Sequence, residues 1–332
     1  MAELLCSFNK DSLTIKPLKK SSLVLRLMLS AIAMVCGIYI CSICLKQMNL
    51  QNKSKFLLFE DFKRPCYDTI IDRSQIPYLH YPKPKTFNRS ECAGNPVRLF
   101  AIVSMQRSGS GWFETFLNSH LNISSNGEIF GPKFRRNNVS SVIQTLDRVY
   151  NLDWFTSSSK NECSAAIGFK WMLNQGLMQY PKEIEQYFND RGVNVIFLLR
   201  RNVLRRLVSM LANSFDKDAK LLNGADLLSK YKPELNITSL KSDLRGMEST
   251  AEKALNYFNS TRHIIIYYED LMKDPSQKLI EVEDFLKLPR MNLTSQQVKI
   301  HKGSLSEHIK NWEEVNKTLT GTTYEKFLQA DY

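Results

Sequence analysis

From Val97 onward the chain alternates short apolar runs with stretches of helical periodicity. "VRLFAIVSM" (Val97–Met105) reads as a buried strand, and a helix follows from Trp112 to His120 with Phe113, Phe116 and Leu117 on one face. "AAIGFKWM" (Ala165–Met172) reads as a second buried strand. The helix after it begins near Pro181, where proline suits the first turn. "VNVIFLLR" (Val193–Arg200) is the clearest strand, with a helix over roughly Val203–Asn213 behind it. Lys241–Asn259 reads as helix and leads into the strand "HIIIYY" (His263–Tyr268); Asp274-Pro275 then caps a helix to about Leu286. Strands alternating with helices imply βαβ units, a mostly parallel sheet and a three-layer α/β (αβα) architecture.

The pattern before Val97 is different. Leu27–Leu45 holds 19 residues without a charge, long enough to span a bilayer as a helix. It follows a polar leader, so an uncleaved signal-anchor is expected rather than a cleavable signal peptide. Residues 46–95 mix Lys, Pro, Asn and Ser, a composition suited to a stem. The expected organisation is therefore a tail over 1–26, a transmembrane helix over 27–45, a stem over 46–95 and a globular domain over 96–332.

Charge narrows the partners. The chain carries a formal +12, but +7 of it sits in residues 1–95 and only +5 in the remainder. A modestly basic domain with local clusters suits small anions or acidic glycans, and no nucleic-acid footprint is read. Cations flank both sides of the apolar span, so the charge rule does not orient it. Eight Asn-x-Ser/Thr sequons, from Asn52 to Asn316, all follow the span and argue for a lumenal domain. Outside the tail and span only Cys66, Cys92 and Cys163 remain, allowing one disulfide, with Cys66–Cys92 as the expected pair, or three unpaired thiols. No paired CxxC…CxxC pattern occurs and only five histidines are present, so no metal site is expected.

Candidate chemistry concentrates at "SMQRSGSGWFETFLNSH" (Ser104–His120). Glycines let the backbone approach a ligand, successive amides form an anion nest, and the following helix adds its N–H groups. In a parallel α/β sheet such a loop lies beyond the strand's carboxyl end, where ligands bind. The helix dipole supplies only about 0.3–2 kcal/mol per charge, so a multiply charged ligand needs cations, and Arg107 lies in the loop. A nucleotide-hydrolase loop would end in Gly-Lys; here Trp112 follows Gly111, which disfavours ATP or GTP. Among Arg200, Arg201, Arg205 and Arg206, the latter two read as a solvated helix face. His120, at a helix end, reads as structural.

These residues resemble a family. "QRSGSGWFETFLNSH" looks like the 5′-phosphosulfate loop of sulfotransferases that use 3′-phosphoadenosine-5′-phosphosulfate (PAPS), which assigns Arg107, Ser108, Gly109, Ser110, Gly111 and Trp112 to the donor. The family's strand-end Arg with a Ser eight residues on, binding the 3′-phosphate, is matched by Arg201 and Ser209, with Val203 in place of the usual Pro. Its Tyr-Glu-Asp-Leu run is matched by Tyr268-Glu269-Asp270-Leu271, where Tyr268 either touches the nucleotide or belongs to the core. Lys302 and Ser304, in "HKGSLSEHIKNW", resemble a late donor-contacting loop. The whole is similar to membrane-anchored Golgi sulfotransferases, of the plant and nodulation type.

Sulfuryl transfer needs a base for the acceptor hydroxyl, a cation for charge on the transferring and leaving oxygens, and a grip on the nucleotide. Glu128, 21 residues after Arg107 and near the end of the next strand, is the candidate base; tyrosylprotein sulfotransferases place a catalytic Glu at that separation. The same relatives place a Lys before the strand carrying Arg201, so Lys170 either polarises the leaving oxygen or snorkels from a strand end. The resemblance implies a Golgi type II membrane protein that moves sulfuryl from PAPS, without metal, to a hydroxyl of a lumenal glycan or protein; a homodimer is compatible with it. A P-loop-like phosphotransferase and a membrane-anchored glycan-binding protein without turnover are the rival readings.

Overall fold

The computed structural model describes residues 72–220, 231–297 and 303–329, with a few helical positions between Met28 and Tyr39. The chain divides into two units, Met1–Ile70 and Ile71–Tyr332, and everything below concerns the second. Most of Leu27–Leu45 lies outside the described residues, among which no helix is long and apolar enough to cross a membrane.

A five-stranded parallel sheet organises the domain: β1 (Arg98–Ser104), β2 (Ile123–Ser125), β3 (Ala166–Met172), β4 (Asn194–Leu199) and β5 (His263–Tyr267), in the order β2-β3-β1-β4-β5. β1 is central and buried along its whole length. Its Ile102 pairs with Lys170 of β3 on one side and Ile196 of β4 on the other. The chain leaves β1 toward β2 and β3, then returns across it to β4. The carboxyl end of β1 is therefore the switch point where a doubly wound sheet opens a crevice.

Alternate residues of β1 feed opposite layers, as the period-2 geometry of a strand requires. Leu99, Ala101 and Val103 pack with α2 (Val139–Tyr150) and α3 (Pro181–Asp190). Phe100 and Ile102 pack with α1 (Ser110–Ser119) and with a helix spanning Pro275–Phe285. In α1 the buried Phe113, Phe116 and Leu117 hold the helix to the sheet, at about 1.5–3 kcal/mol for each side chain buried. A third apolar cluster joins α4 (Val203–Lys220), α5 (Ile237–Tyr257) and the helix Trp312–Leu319, and builds a wall beside the sheet's carboxyl edge.

Three features differ from the sequence pattern. The helix α2 was not anticipated, because its Val, Ile and Thr are weak helix formers; Asn138 caps it and a buried Val142, Leu146, Val149 stripe holds it in place. Residues 72–95, read as stem, are fastened to the domain by a bridge between His80 and Val97 and by a disulfide. That disulfide joins Cys92 to Cys163 and not to Cys66, correcting the expected pair and the three-thiol alternative; Cys66 lies outside the described residues. The short 3₁₀ turns Ser90–Gly94 and Asn161–Cys163 lie side by side, with Arg89 Nε donating to the Glu162 carbonyl at 3.1 Å, and so bring the two sulfurs together.

The disulfide closes a loop of 71 residues, for which chain entropy gives about 4 kcal/mol. Cys92→Ser is expected to lower the unfolding free energy by about 2–4 kcal/mol. Urea unfolding with and without reductant checks this: the wild type should lose that amount on reduction and the variant nothing further.

Candidate active site

A cleft of about 570 Å³ opens at the carboxyl ends of β1, β3 and β4. The loop 105–109 forms its floor. Gly109 starts α1 in a left-handed conformation and no side chain caps the helix. The N–H groups of Ser110, Gly111 and Trp112 belong to the first turn, where an α-helix provides no internal acceptor, and all three residues line the cleft. Arg107 is also left-handed, at φ 64°, an uncommon conformation for a residue with a Cβ.

Three outside groups impose that loop shape. Arg206 Nε donates to the Gln106 carbonyl at 2.8 Å, and Arg200 donates to the Arg107 carbonyl at 3.0 Å. The ring of Tyr268 covers Gly109 so closely that a Cβ there would lie inside the ring's van der Waals envelope. The Arg200 guanidinium stacks on the same ring at 4.8 Å, and Trp112 meets it edge-on at 6.3 Å. Burial pushes the Tyr268 hydroxyl above its usual range. Tyr268 thus joins the loop to β5 and serves both packing and cleft.

The sequence-assigned catalytic side chains converge. Arg107, Glu128 and Lys170 all line the cleft. Lys170 Nζ lies 3.5 Å from Glu128 Oε1 and 3.2 Å from Glu114 Oε2. Gln175 Nε2 donates to Glu128 Oε2 at 2.7 Å. Glu114 was not anticipated: inside an apolar helix its letter carries no signal. It is buried on α1, accepts the Ser125 hydroxyl at 2.6 Å and the Gly127 N–H at 2.9 Å, and ion-pairs with Lys170. It therefore orients both the lysine and the turn that carries Glu128.

The expected nucleotide groups divide. Ser209 lines the cleft and accepts from Arg107 Nε at 2.8 Å. Arg201 does not line the cleft; its guanidinium is bidentate to Asp270, at 2.5 and 2.8 Å, and stacks on Tyr267 at 3.8 Å. That hydrogen bond and charge hold the Asp270 carboxyl below its usual range. Glu269 accepts the backbone N–H groups of Arg201 and Asn202, so the Tyr-Glu-Asp run clamps the end of β4. Ser304 precedes the short helix Leu305–His308 with its hydroxyl 2.6 Å from that of Ser306, outside the cleft lining; Lys302 lies outside the described residues.

Arg205 and Arg206 correct the sequence reading: they are not a solvated face but 5% and 6% exposed. Arg205 donates to the Gly303 carbonyl, and burial beside Arg200 pushes the Arg206 guanidinium down to about 10. Both were misread because α4 is buried on more than its apolar stripe. His120 is structural as expected: its Nδ1 accepts from Asn122 N–H and its Nε2 lies 3.1 Å from the Pro289 carbonyl. No group of three or more metal-ligating side chains occurs among the described residues.

Comparison with known proteins adds a family. The model of the sulfotransferase domain matches residues 99–330. Nodulation protein H of Rhizobium meliloti is 24% identical over 243 residues, covering 70% of this chain and 96% of the relative. Nodulation protein H of Rhizobium tropici is 24% identical over 235 residues, covering 70% and 93%. Among solved structures, a sulfotransferase from Alicyclobacillus acidocaldarius matches with a TM-score of 0.38 and 14% identity, covering 70% of this chain and 96% of that one.

The contact between Tyr268 and Gly109 can be measured directly. Gly109→Ala is expected to destabilise by about 1–3 kcal/mol, from overpacking plus left-handed strain. Tyr268→Ala removes the obstacle. In urea unfolding the double variant should therefore be more stable than the sum of the single losses, by at least about 0.5 kcal/mol.

Proposed function

The chain belongs to the sulfotransferase family, and from that premise we propose that it moves a sulfuryl group from PAPS to a hydroxyl of a lumenal glycan or protein. The observation that carries the reading is the meeting of Arg107, Glu128 and Lys170 in one cleft, over an uncapped helix start. The residues present fit a phosphosulfate. The Ser108 hydroxyl is fully buried without a hydrogen-bond partner among the described residues, and a Cβ at Gly111 would meet nothing nearer than 3.9 Å, so the backbone is open to close approach.

PAPS supplies the activated sulfuryl group. The chain's residues do the rest. The amides of Ser110, Gly111 and Trp112 and the Arg107 guanidinium hold the phosphosulfate end. Glu128 takes the proton from the acceptor hydroxyl, and Gln175 fixes one of its carboxylate oxygens. Lys170, steadied by Glu114, covers the charge that builds on the oxygens of the transferring and leaving groups. Ser209 and Arg201 are assigned to the 3′-phosphate, with Arg201 changing partner from Asp270.

The cellular setting rests on the sequence features together with the disulfide. The Cys92–Cys163 bond is of the kind that persists in oxidising compartments, and all eight sequons follow the apolar stretch. We place the domain in the Golgi lumen, anchored through Leu27–Leu45 as a type II membrane protein.

Labelled PAPS offered with a panel of glycans and peptides tests the reaction and identifies the acceptor. No transfer, together with no binding of 3′-phosphoadenosine-5′-phosphate (PAP), would overturn the reading. Glu128→Gln is expected to keep PAP binding while turnover falls at least about a hundredfold; near-normal turnover would assign the base elsewhere. Arg201→Ala and Ser209→Ala should each weaken PAP binding by about 1.5–3 kcal/mol in calorimetry, the range for hydrogen bonds to charged groups.

A further inference from the structure

A second groove, of about 630 Å³, adjoins the cleft. Gln106 and Met210 line both spaces. Its walls are Met105, Leu173, Met178, Leu207, Met210 and Met247, from the end of β1, the turn after β3, and the facing sides of α4 and α5. Methionine is flexible and polarisable, and a wall built largely of it adapts to varied apolar shapes.

One group in the groove does not belong to an apolar core. Arg206 is 6% exposed and lines the groove. Its Nε is occupied by the Gln106 carbonyl. Among the described residues no carboxylate lies within ion-pair distance of its guanidinium. Asp243, at the groove's rim, instead accepts the Ser239 hydroxyl at 2.8 Å. A buried charge without a counter-ion is costly, and an incoming anion supplies one. The desolvation that makes Arg206 costly also strengthens its attraction for that anion.

Resting on the sulfuryl-transfer reading, we propose that this groove is an acceptor subsite for an amphipathic anion: an apolar body against the methionines and a carboxylate or sulfate group on Arg206. The direction fits. Gln106 joins the groove to the phosphosulfate loop, and Asn174, also in its lining, precedes the Gln175 that holds Glu128. Gln106 and Met210 line both spaces, so the part of an occupant that reaches past them enters the cleft, where a hydroxyl meets the base. Neutral apolar alcohols leave Arg206 without a counter-ion and bind weakly.

The test uses decanoate, decan-1-ol and acetate as probes of the protein labelled at its methionine methyl groups, read by NMR. Decanoate should shift the Met178, Met210 and Met247 methyls saturably, with decan-1-ol and acetate at least tenfold weaker. Met247→Glu, on the groove's outer wall, should abolish the decanoate shifts at Met178 and Met210. Arg206→Gln, provided its thermal unfolding stays cooperative, should weaken decanoate at least tenfold. Equal binding of decan-1-ol, no shift at these methyls, or undiminished decanoate binding by Met247→Glu would overturn the proposal. PAP calorimetry on the same wild-type sample separates the two readings. PAP binding without decanoate binding sinks only the subsite, and loss of PAP binding sinks the donor assignment.

Discussion

The loop after β1 cannot hold its shape alone. Gly109 adopts its positive φ freely, but Arg107, which carries a Cβ, sits at positive φ too, and such a residue persists there only where its surroundings over-determine it. The surroundings do so through carbonyls. Arg206 takes the oxygen of Gln106 and Arg200 takes that of Arg107, while Tyr268 closes the space above Gly109. A trans peptide unit places its N–H opposite its C=O, so fixing a carbonyl toward one wall turns the following N–H away from that wall. The loop is thus shaped by cations behind it as much as by glycines within it. This gives two of the arginines after β4 a task that charge alone does not reveal.

The same dependence explains what the sequence disclosed. The strand-loop-helix unit at 98–119 was legible because its signal is local: an apolar run, two glycines and a helical stripe within 22 residues. Glu128 and Lys170, singled out in the sequence, both line the cleft, and the register of β1 with β3 brings Lys170 beside it. Glu114, Arg205 and Arg206 were missed or misread because their roles are set by partners far away in sequence. Arg206 meets Gln106 across 100 residues, and Glu114 meets Lys170 only after a strand has been threaded between them. The disulfide failed for the same reason. Cys92 and Cys163 become neighbours only when two 3₁₀ turns pack together, which no spacing rule encodes.

The Tyr-Glu-Asp run shows how a recognisable motif can carry several kinds of work. Tyr268 packs on the loop after β1, Glu269 accepts two backbone N–H groups at the end of β4, and Asp270 holds the Arg201 guanidinium. Three consecutive residues at the end of β5 therefore tie it to both loops that define the cleft. An edge strand has only one neighbour to set its register, and these contacts fix its carboxyl end where the ladder cannot.

The partner of Arg201 bears on the nucleotide grip proposed above. Arg201 and Asp270 are both at least a third exposed, and salt bridges of that kind are worth about 0–1 kcal/mol. Asp270 therefore orients Arg201 without binding it tightly. On the proposed assignment of Arg201 to the 3′-phosphate, the incoming phosphate carries more charge than one carboxylate and offers the same planar fork more acceptor oxygens, so the exchange would run toward phosphate. Tyr267, stacked on the guanidinium, restrains the same fork. On that assignment Asp270 is a placeholder for the phosphate. It restrains a long, flexible cation, and on that assignment part of the ordering entropy that nucleotide binding would otherwise cost is already spent in the folded chain.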